Sequence, residues 1–244
     1  MYAIFIKELQ SFFYSPLGYL ILILFLAFTG LFLWVLPNDF NIFSSGFADL
    51  HNFFLLLPWI FLFLIPAVTM RSLAEENKMG TLELLLIKPI PLKSIVIAKF
   101  LGAFSLCLIA LLPTLLYIFI ISALGMTTGN YDLGVVIGSY FGTLFLIGLY
   151  TAIGIFCSAL SNNQIVAFLS ATVLCFVLLY IPDMLSEMFR NGGMQQLLQN
   201  LGARVHFNSI AQGILDSRDI IYFLSLTVFF LVLTVLQMKK KNTA

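Results

Sequence analysis

The chain has 244 residues, of which 61% are hydrophobic and 9% charged, and its mean hydropathy is +1.06. A soluble domain carries about 25% charged residues, so this composition describes an integral membrane protein with room for a handful of spanning helices and little else. The net charge of +1 argues against a nucleic-acid surface. The lack of alternating strand patterns leaves helices, rather than a barrel, to satisfy the backbone in lipid.

The first element is predicted over Tyr2–Tyr14. Phe5, Leu9, Phe12 and Phe13 recur at helical spacing, while Lys7, Glu8 and Ser11 take the other face. That is an amphipathic helix lying flat on a membrane, either a plain anchor or an elbow that braces a bundle. Ser15-Pro16 turns the chain into the first span. The N-terminal apolar run is too long for a signal peptide and no small-residue cleavage site follows, so it is read as a retained helix.

Spans of roughly 20 apolar residues are predicted at Gly18–Leu36, Phe53–Met70, Phe100–Ala123, Leu133–Ser158, Gln164–Pro182 and Ile220–Met238. None of these windows holds an Asp, Glu, Lys, Arg or His. Pro58, Pro66 and Pro113 should kink their spans and free carbonyls that neighbours must satisfy.

Between the second and third spans lies a segment, residues 71–91, that cannot cross a bilayer. Arg71, Glu75, Glu76, Lys78 and Glu83 at roughly 2.5–3.5 kcal/mol each would cost more than about 12 kcal/mol at mid-membrane. Ser72–Met79 reads as a short helix interrupted by Gly80. Thr81 can cap a second turn, with Glu83 near its positive end. Leu82, Leu84, Leu85, Leu86 and Ile87 are too apolar for a free loop, and Pro89 and Pro91 end the segment. Such a helix either sits in another protein's groove or covers its own bundle.

In the fourth span Gly134, Gly138 and Gly142 form a doubled GxxxG, which admits a close backbone, from the same subunit or a second one. The loop 183–217 holds two apolar stripes, at 194–201 and 206–215. Leu197, Leu198, Leu201, Ile210, Ile214 and Leu215 are expected to seek burial in short helices that dip into the outer leaflet or cap the bundle. His206 has no partner cluster and is a weak metal ligand. Cys107, Cys157 and Cys175 fall in apolar runs and read as small buried residues.

Loop charge orients the chain. With the N-terminus inside, the inner segments hold Lys7, Arg71, Lys78, Lys88, Lys93, Lys99, Lys239, Lys240 and Lys241, and the outer loops only Arg190, Arg204 and Arg218. Both termini are therefore expected in the cytoplasm. The spans lack the ionisable groups of ion-coupled transporters. They also lack GxSG, HExxH or paired acids for proteolysis, and the chain has no GxxxxGK[ST] loop to bind ATP. A bundle without its own engine, carrying one docking segment, points to a partner that supplies the energy.

Three stretches carry a resemblance. RSLAEENKMGTLELLLIKPIPLKSIVIAKFLG (71–102) resembles the signature of ABC-2 type permeases. HFNSIAQGILDSRDIIYFLSL (206–226) and FIKELQSFFYSPLGYL (5–20) are similar to the gliding-motility-associated branch of that family in Bacteroidetes-type bacteria. The resemblance implies an all-α permease in a single domain of the cell inner membrane: an elbow helix, six spans, a coupling helix and short outer helices. It implies a cytoplasmic ABC ATPase as partner, which would hold ATP and magnesium, and no cofactor in this chain. It further implies a second permease subunit, identical or not, and an auxiliary motility subunit. Carried over, Glu75, Glu76, Gly80, Thr81, Leu82 and Glu83 are the expected ATPase contacts. A structural membrane subunit that only assembles a machine is the rival reading.

Overall fold

The computed structural model describes residues 1–46, 49–81, 90–125, 131–189, 192–214 and 216–243. Every regular element among them is helical: α1 (Tyr2–Phe13), α2 (Pro16–Gly30), the short α3 (Ile42–Ser45), α4 (His51–Lys78), α5 (Leu92–Leu111), α6 (Leu116–Leu124), α7 (Leu133–Leu160), α8 (Gln164–Met188), α9 (Gly192–Leu201), α10 (Ala203–Ala211) and α11 (Ser217–Thr243). Six stretches are long and apolar enough to cross a membrane: Gly18–Val35, His51–Lys78, Leu92–Leu124, Leu133–Leu160, Gln164–Met188 and Ser217–Lys241.

Two of the six form the interior. The apolar windows of α4 and α7 are 67% and 78% buried, against 22–33% for the other four. Composition explains the choice of α7. Its small residues leave room on several faces, and α4, α5, α8, α10 and α11 all pack against it. A Cβ on Gly142 would collide with the Ile210 side chain, and one on Gly138 would lie 3.3 Å from the Gly213 Cα. The glycine stripe thus receives α10 and the turn after it, from the same chain. Gly134 stands apart from that contact, beside its own N-cap residue Asp132.

Four boundaries differ from the sequence expectation. The charged stretch after Met70 is not a separate helix: α4 runs unbroken to Lys78, because nothing in Arg71–Lys78 breaks a helix, and it stops where Gly80 adopts φ +68°. A left-handed residue at that place is the usual helix stop and suits glycine. The third span begins at Leu92, directly after Pro91, so Lys93 and Lys99 lie within the helix and the span is not free of charge. The fifth continues through Pro182 to Met188, and the sixth begins at Ser217, taking in Arg218 and Asp219.

Of the three span prolines, Pro58 and Pro66 lie inside the continuous α4, and Pro113 coincides with a break. A 3-10 turn, Leu112–Leu115, separates α5 from α6 at Pro113. The Thr114 hydroxyl donates to the Leu111 carbonyl at 2.6 Å, and the Tyr140 hydroxyl donates to the Thr114 carbonyl at 3.0 Å. Below Pro66, the Thr69 hydroxyl donates to the Ile65 carbonyl at 2.9 Å.

At the end away from both termini, α9 and α10 differ. Ile210 is fully buried and Leu198 half-buried, whereas Leu197 and Leu201 in α9 and Ile214 beyond α10 are exposed, so α9 leaves much of its apolar stripe uncovered; Leu215 lies outside the described residues. His206 is occupied structurally. Its Nδ1 lies 2.6 Å from Asp219 Oδ1, its Nε2 2.9 Å from the Asn200 carbonyl, and its ring stacks on Tyr222. All three cysteines are buried and free.

Candidate functional site

The basic end of the bundle, where α1, α4, α5 and the end of α11 meet, holds the only dense charge network among the described residues. Its geometry starts from α4. At 1.5 Å per residue, a 28-residue helix is about 42 Å long, against a hydrocarbon core of about 30 Å. Its last turns therefore project beyond the apolar layer and carry Arg71, Glu75, Glu76 and Lys78 with them.

Lys99 is the centre of the network. It lies two turns into α5 and its side chain is fully buried. An ammonium brought out of water requires opposite charge and hydrogen-bond acceptors. Nζ finds Glu8 Oε1 on α1 at 2.6 Å and the Ser72 carbonyl on α4 at 2.6 Å. Glu76 Oε2 on α4 lies 3.0 Å away, as an ion pair without hydrogen-bond alignment. One side chain thus ties three helices. The sequence set Glu8 on the water-facing side of the amphipathic helix; instead it faces the bundle. A Cβ on Gly102 would lie 2.9 Å from the Glu8 Cβ, so α1 comes close enough because α5 has a glycine there.

The remaining contacts lock the same region. Arg71 Nε donates to Glu75 Oε2 at 3.0 Å, one turn along α4, and its Nη1 donates to Ser15 Oγ at 3.2 Å, at the corner between α1 and α2. Ser158 of α7 enters the backbone ladder of α4: its hydroxyl accepts from the Leu73 and Ala74 amides at 3.0 and 2.9 Å and donates to the Met70 carbonyl at 3.0 Å. Asn77 Nδ2 donates to the Ser161 carbonyl at 3.2 Å, and Lys241 Nζ to the Ala159 carbonyl at 2.9 Å. Lys7 approaches Glu76 Oε1 only to 3.7 Å and is largely exposed.

The expected partner contacts separate into two groups. Glu75 and Glu76 are engaged within the chain, by Arg71 and by Lys99. Gly80 and Thr81 are exposed at the tip, together with Lys78 and Met79, and the Thr81 hydroxyl donates back to the Glu76 carbonyl at 3.4 Å. Leu82 and Glu83 lie outside the described residues. Lys99 and Glu8 were not singled out from the sequence. A signal existed: Lys99 is flanked by Ile95, Val96, Ile97, Ala98, Phe100 and Leu101, and a lysine in so apolar a setting needs a counter-charge.

At this end one helix with an exposed tip is tied to α1 and the third span by one buried ammonium and to the central helix α7 by one hydroxyl. A family model described as ABC-2 family transporter protein matches residues 2–241. No curated protein matches the chain.

Proposed function

The chain belongs to the ABC-2 family of transporter proteins, membrane permease subunits that work with an ATPase partner, and from that premise we infer that its basic end is the coupling joint of an ATP-driven exporter. In this reading the basic end and both termini face the cytoplasm, in keeping with the positive-inside rule. The exposed tip Lys78–Thr81, with the following residues Leu82 and Glu83, seats on the ATPase. Glu75 and Glu76 serve as internal struts behind that tip. ATP and magnesium belong to the partner.

The observation that carries this reading is the continuity of α4. Displacement of an exposed tip passes along α4, which is helical from His51 to Lys78, into the bundle, and Lys99 makes α1 and α5 follow. Closure of paired ATPases then moves three helices together, and two permease subunits shift between inward and outward states. The ATPase must bind those states with different free energy, or nothing moves. The spans keep their few charges at the ends or in pairs, which favours an apolar or lipid-linked cargo. The resemblance of residues 5–20 and 206–226 to the gliding-motility branch supports a role in a motility complex of the inner membrane.

The test is co-purification. Wild-type chain isolated in mild detergent from its host should bring an ABC ATPase with it, and Met79→Asp combined with Leu82→Asp should lose that ATPase while the permease stays folded. A stable wild-type chain with no ATPase in either sample would reject the coupling joint and favour a structural subunit.

A further inference from the structure

A cavity of about 230 Å³ opens between α1, α4 and α5 at the basic end. Its polar wall includes Lys7, Glu8, Arg71, Ser72, Glu75 and Glu76, and its apolar wall Phe12, Val68, Ala103 and Leu106. Two buried oxygens on that wall make no hydrogen bond: Ser72 Oγ, in a residue only 9% exposed, and Glu76 Oε2, whose contact is the ion pair with Lys99 at 3.0 Å. Buried polar atoms are normally satisfied, so the Ser72 hydroxyl asks for a partner, and the carboxylate oxygen has a lone pair left for a second donor. Glu76 as a carboxylate can only accept, so the occupant must donate.

The same cavity also presents positive charge to the outside. The side chains of Lys7 and Arg71 are 66% and 37% exposed, against 31% for Glu75, which pairs with Arg71, and 21% and 13% for Glu8 and Glu76. Cations at the rim, with the Ser72 hydroxyl and a free lone pair of Glu76 behind them, match a molecule with an anionic group and an N–H donor in tandem. Ala67 lines this cavity and also a larger apolar groove of about 720 Å³ between α2 and α4. The groove is walled by Ile21, Phe25, Ile60, Phe63 and Leu64, and it reaches Leu56. From Ala67 to Leu56 is about 16 Å of helix, close to one leaflet's hydrocarbon thickness of about 15 Å.

We propose that this cavity and groove together hold one phospholipid with a primary-amine headgroup, taken from the leaflet at the basic end. Its phosphate lies by Arg71 and Lys7, its ammonium donates to Glu76 and Ser72, and one acyl chain follows α4 past Ala67 and Phe63. The site does not depend on the ATPase reading. It accounts at once for the unpartnered Ser72 hydroxyl, the open lone pair of Glu76, the rim charge and the apolar continuation. A choline headgroup carries the same net charge but no N–H donor, and a glycerol headgroup adds hydroxyl donors and no cation.

The test is native mass spectrometry of the full chain, stripped in detergent and titrated separately with phosphatidylethanolamine, phosphatidylcholine and phosphatidylglycerol of identical acyl chains. Expected is one tightly held phosphatidylethanolamine per chain, preferred over phosphatidylcholine by at least about tenfold, the equilibrium worth of one charge-assisted hydrogen bond. Glu76→Gln should abolish that preference, and Ala67→Trp, which fills the junction, should remove the tight adduct of every lipid. Where Glu76→Gln fails to purify, Ser72→Ala carries the same test and should narrow the preference. Equal retention of the three lipids by wild type, or an adduct unchanged in Ala67→Trp, overturns the proposal and leaves water in the cavity. Loss of a dimer mass in Ala67→Trp with the lipid adduct unchanged also overturns it, assigning the groove to a second copy.

Discussion

At the basic end of the bundle the joint between helices is a fully buried ammonium, Lys99, shared by Glu8 of α1 and the Ser72 carbonyl and Glu76 of α4. At the opposite end the joint between α7 and α10 holds no charge. Gly138 and Gly142 let Gly213 and Ile210 come against the backbone, and the Ser139 hydroxyl donates to the Ala211 carbonyl at 3.0 Å. These joints answer differently to force. Interdigitated small residues have one arrangement, because any slip creates a clash or a void. A buried ion cluster beside a cavity has alternatives, since its carboxylates and its ammonium can exchange partners with an incoming group. The coupling proposed above needs a fixed reference at one end and a responsive contact at the other, and the two joints suit those tasks.

The comparison can be broken by substitution. Lys99→Met should do most damage, about 3–5 kcal/mol, because it leaves two carboxylates facing each other without their counter-ion. Thermal unfolding in detergent reads the loss, and adding Glu8→Gln and Glu76→Gln should restore much of it. An undiminished Tm in Lys99→Met would mean the cluster holds nothing together. Gly142→Val comes next at about 1–3 kcal/mol, the cost of overpacking against Ile210. Its partner change Ile210→Ala should relieve it, and an absence of rescue would place the strain elsewhere.

Ser158→Ala should cost about 1 kcal/mol, the net worth of the hydroxyl's bonds to the α4 backbone, seen as faster amide exchange at Leu73 and Ala74. Lys7→Ala should change stability by no more than about 0.5 kcal/mol, since an exposed pair at 3.7 Å contributes little. A larger effect there would erase the distinction between buried and rim charges at the basic end.

Much of the architecture can be read from residues alone, for specific reasons. Six apolar runs separated by charge and turn residues declare themselves, and the Gly134, Gly138 and Gly142 spacing announces a close approach. The helix that fills it does not, because the partner Ile210 is 68 positions away and small residues accept many partners. Charge was a poor guide to helix ends. Arg71–Lys78 has no helix breaker and continues α4, and Lys93 and Lys99 do not delay α5, since Pro91 sets its start. Within the candidate site, the exposed tip at Gly80 and Thr81 was legible from the glycine and its charged surroundings. The Lys99–Glu8 contact was not, since it joins two elements 91 residues apart and rests on α1 turning its acidic side inward.

The most direct measurement is ATP hydrolysis by the complex of this chain with its co-purifying ATPase in lipid nanodiscs, wild type against Lys99→Met stabilised by Glu8→Gln and Glu76→Gln. The exposed tip is intact in that variant, so the ATPase should still bind. Hydrolysis stimulated by the permease should fall by about tenfold, equivalent to about 1.4 kcal/mol of lost coupling. Full stimulation with the cluster removed would contradict the claim that Lys99 joins the docking helix to the rest of the bundle.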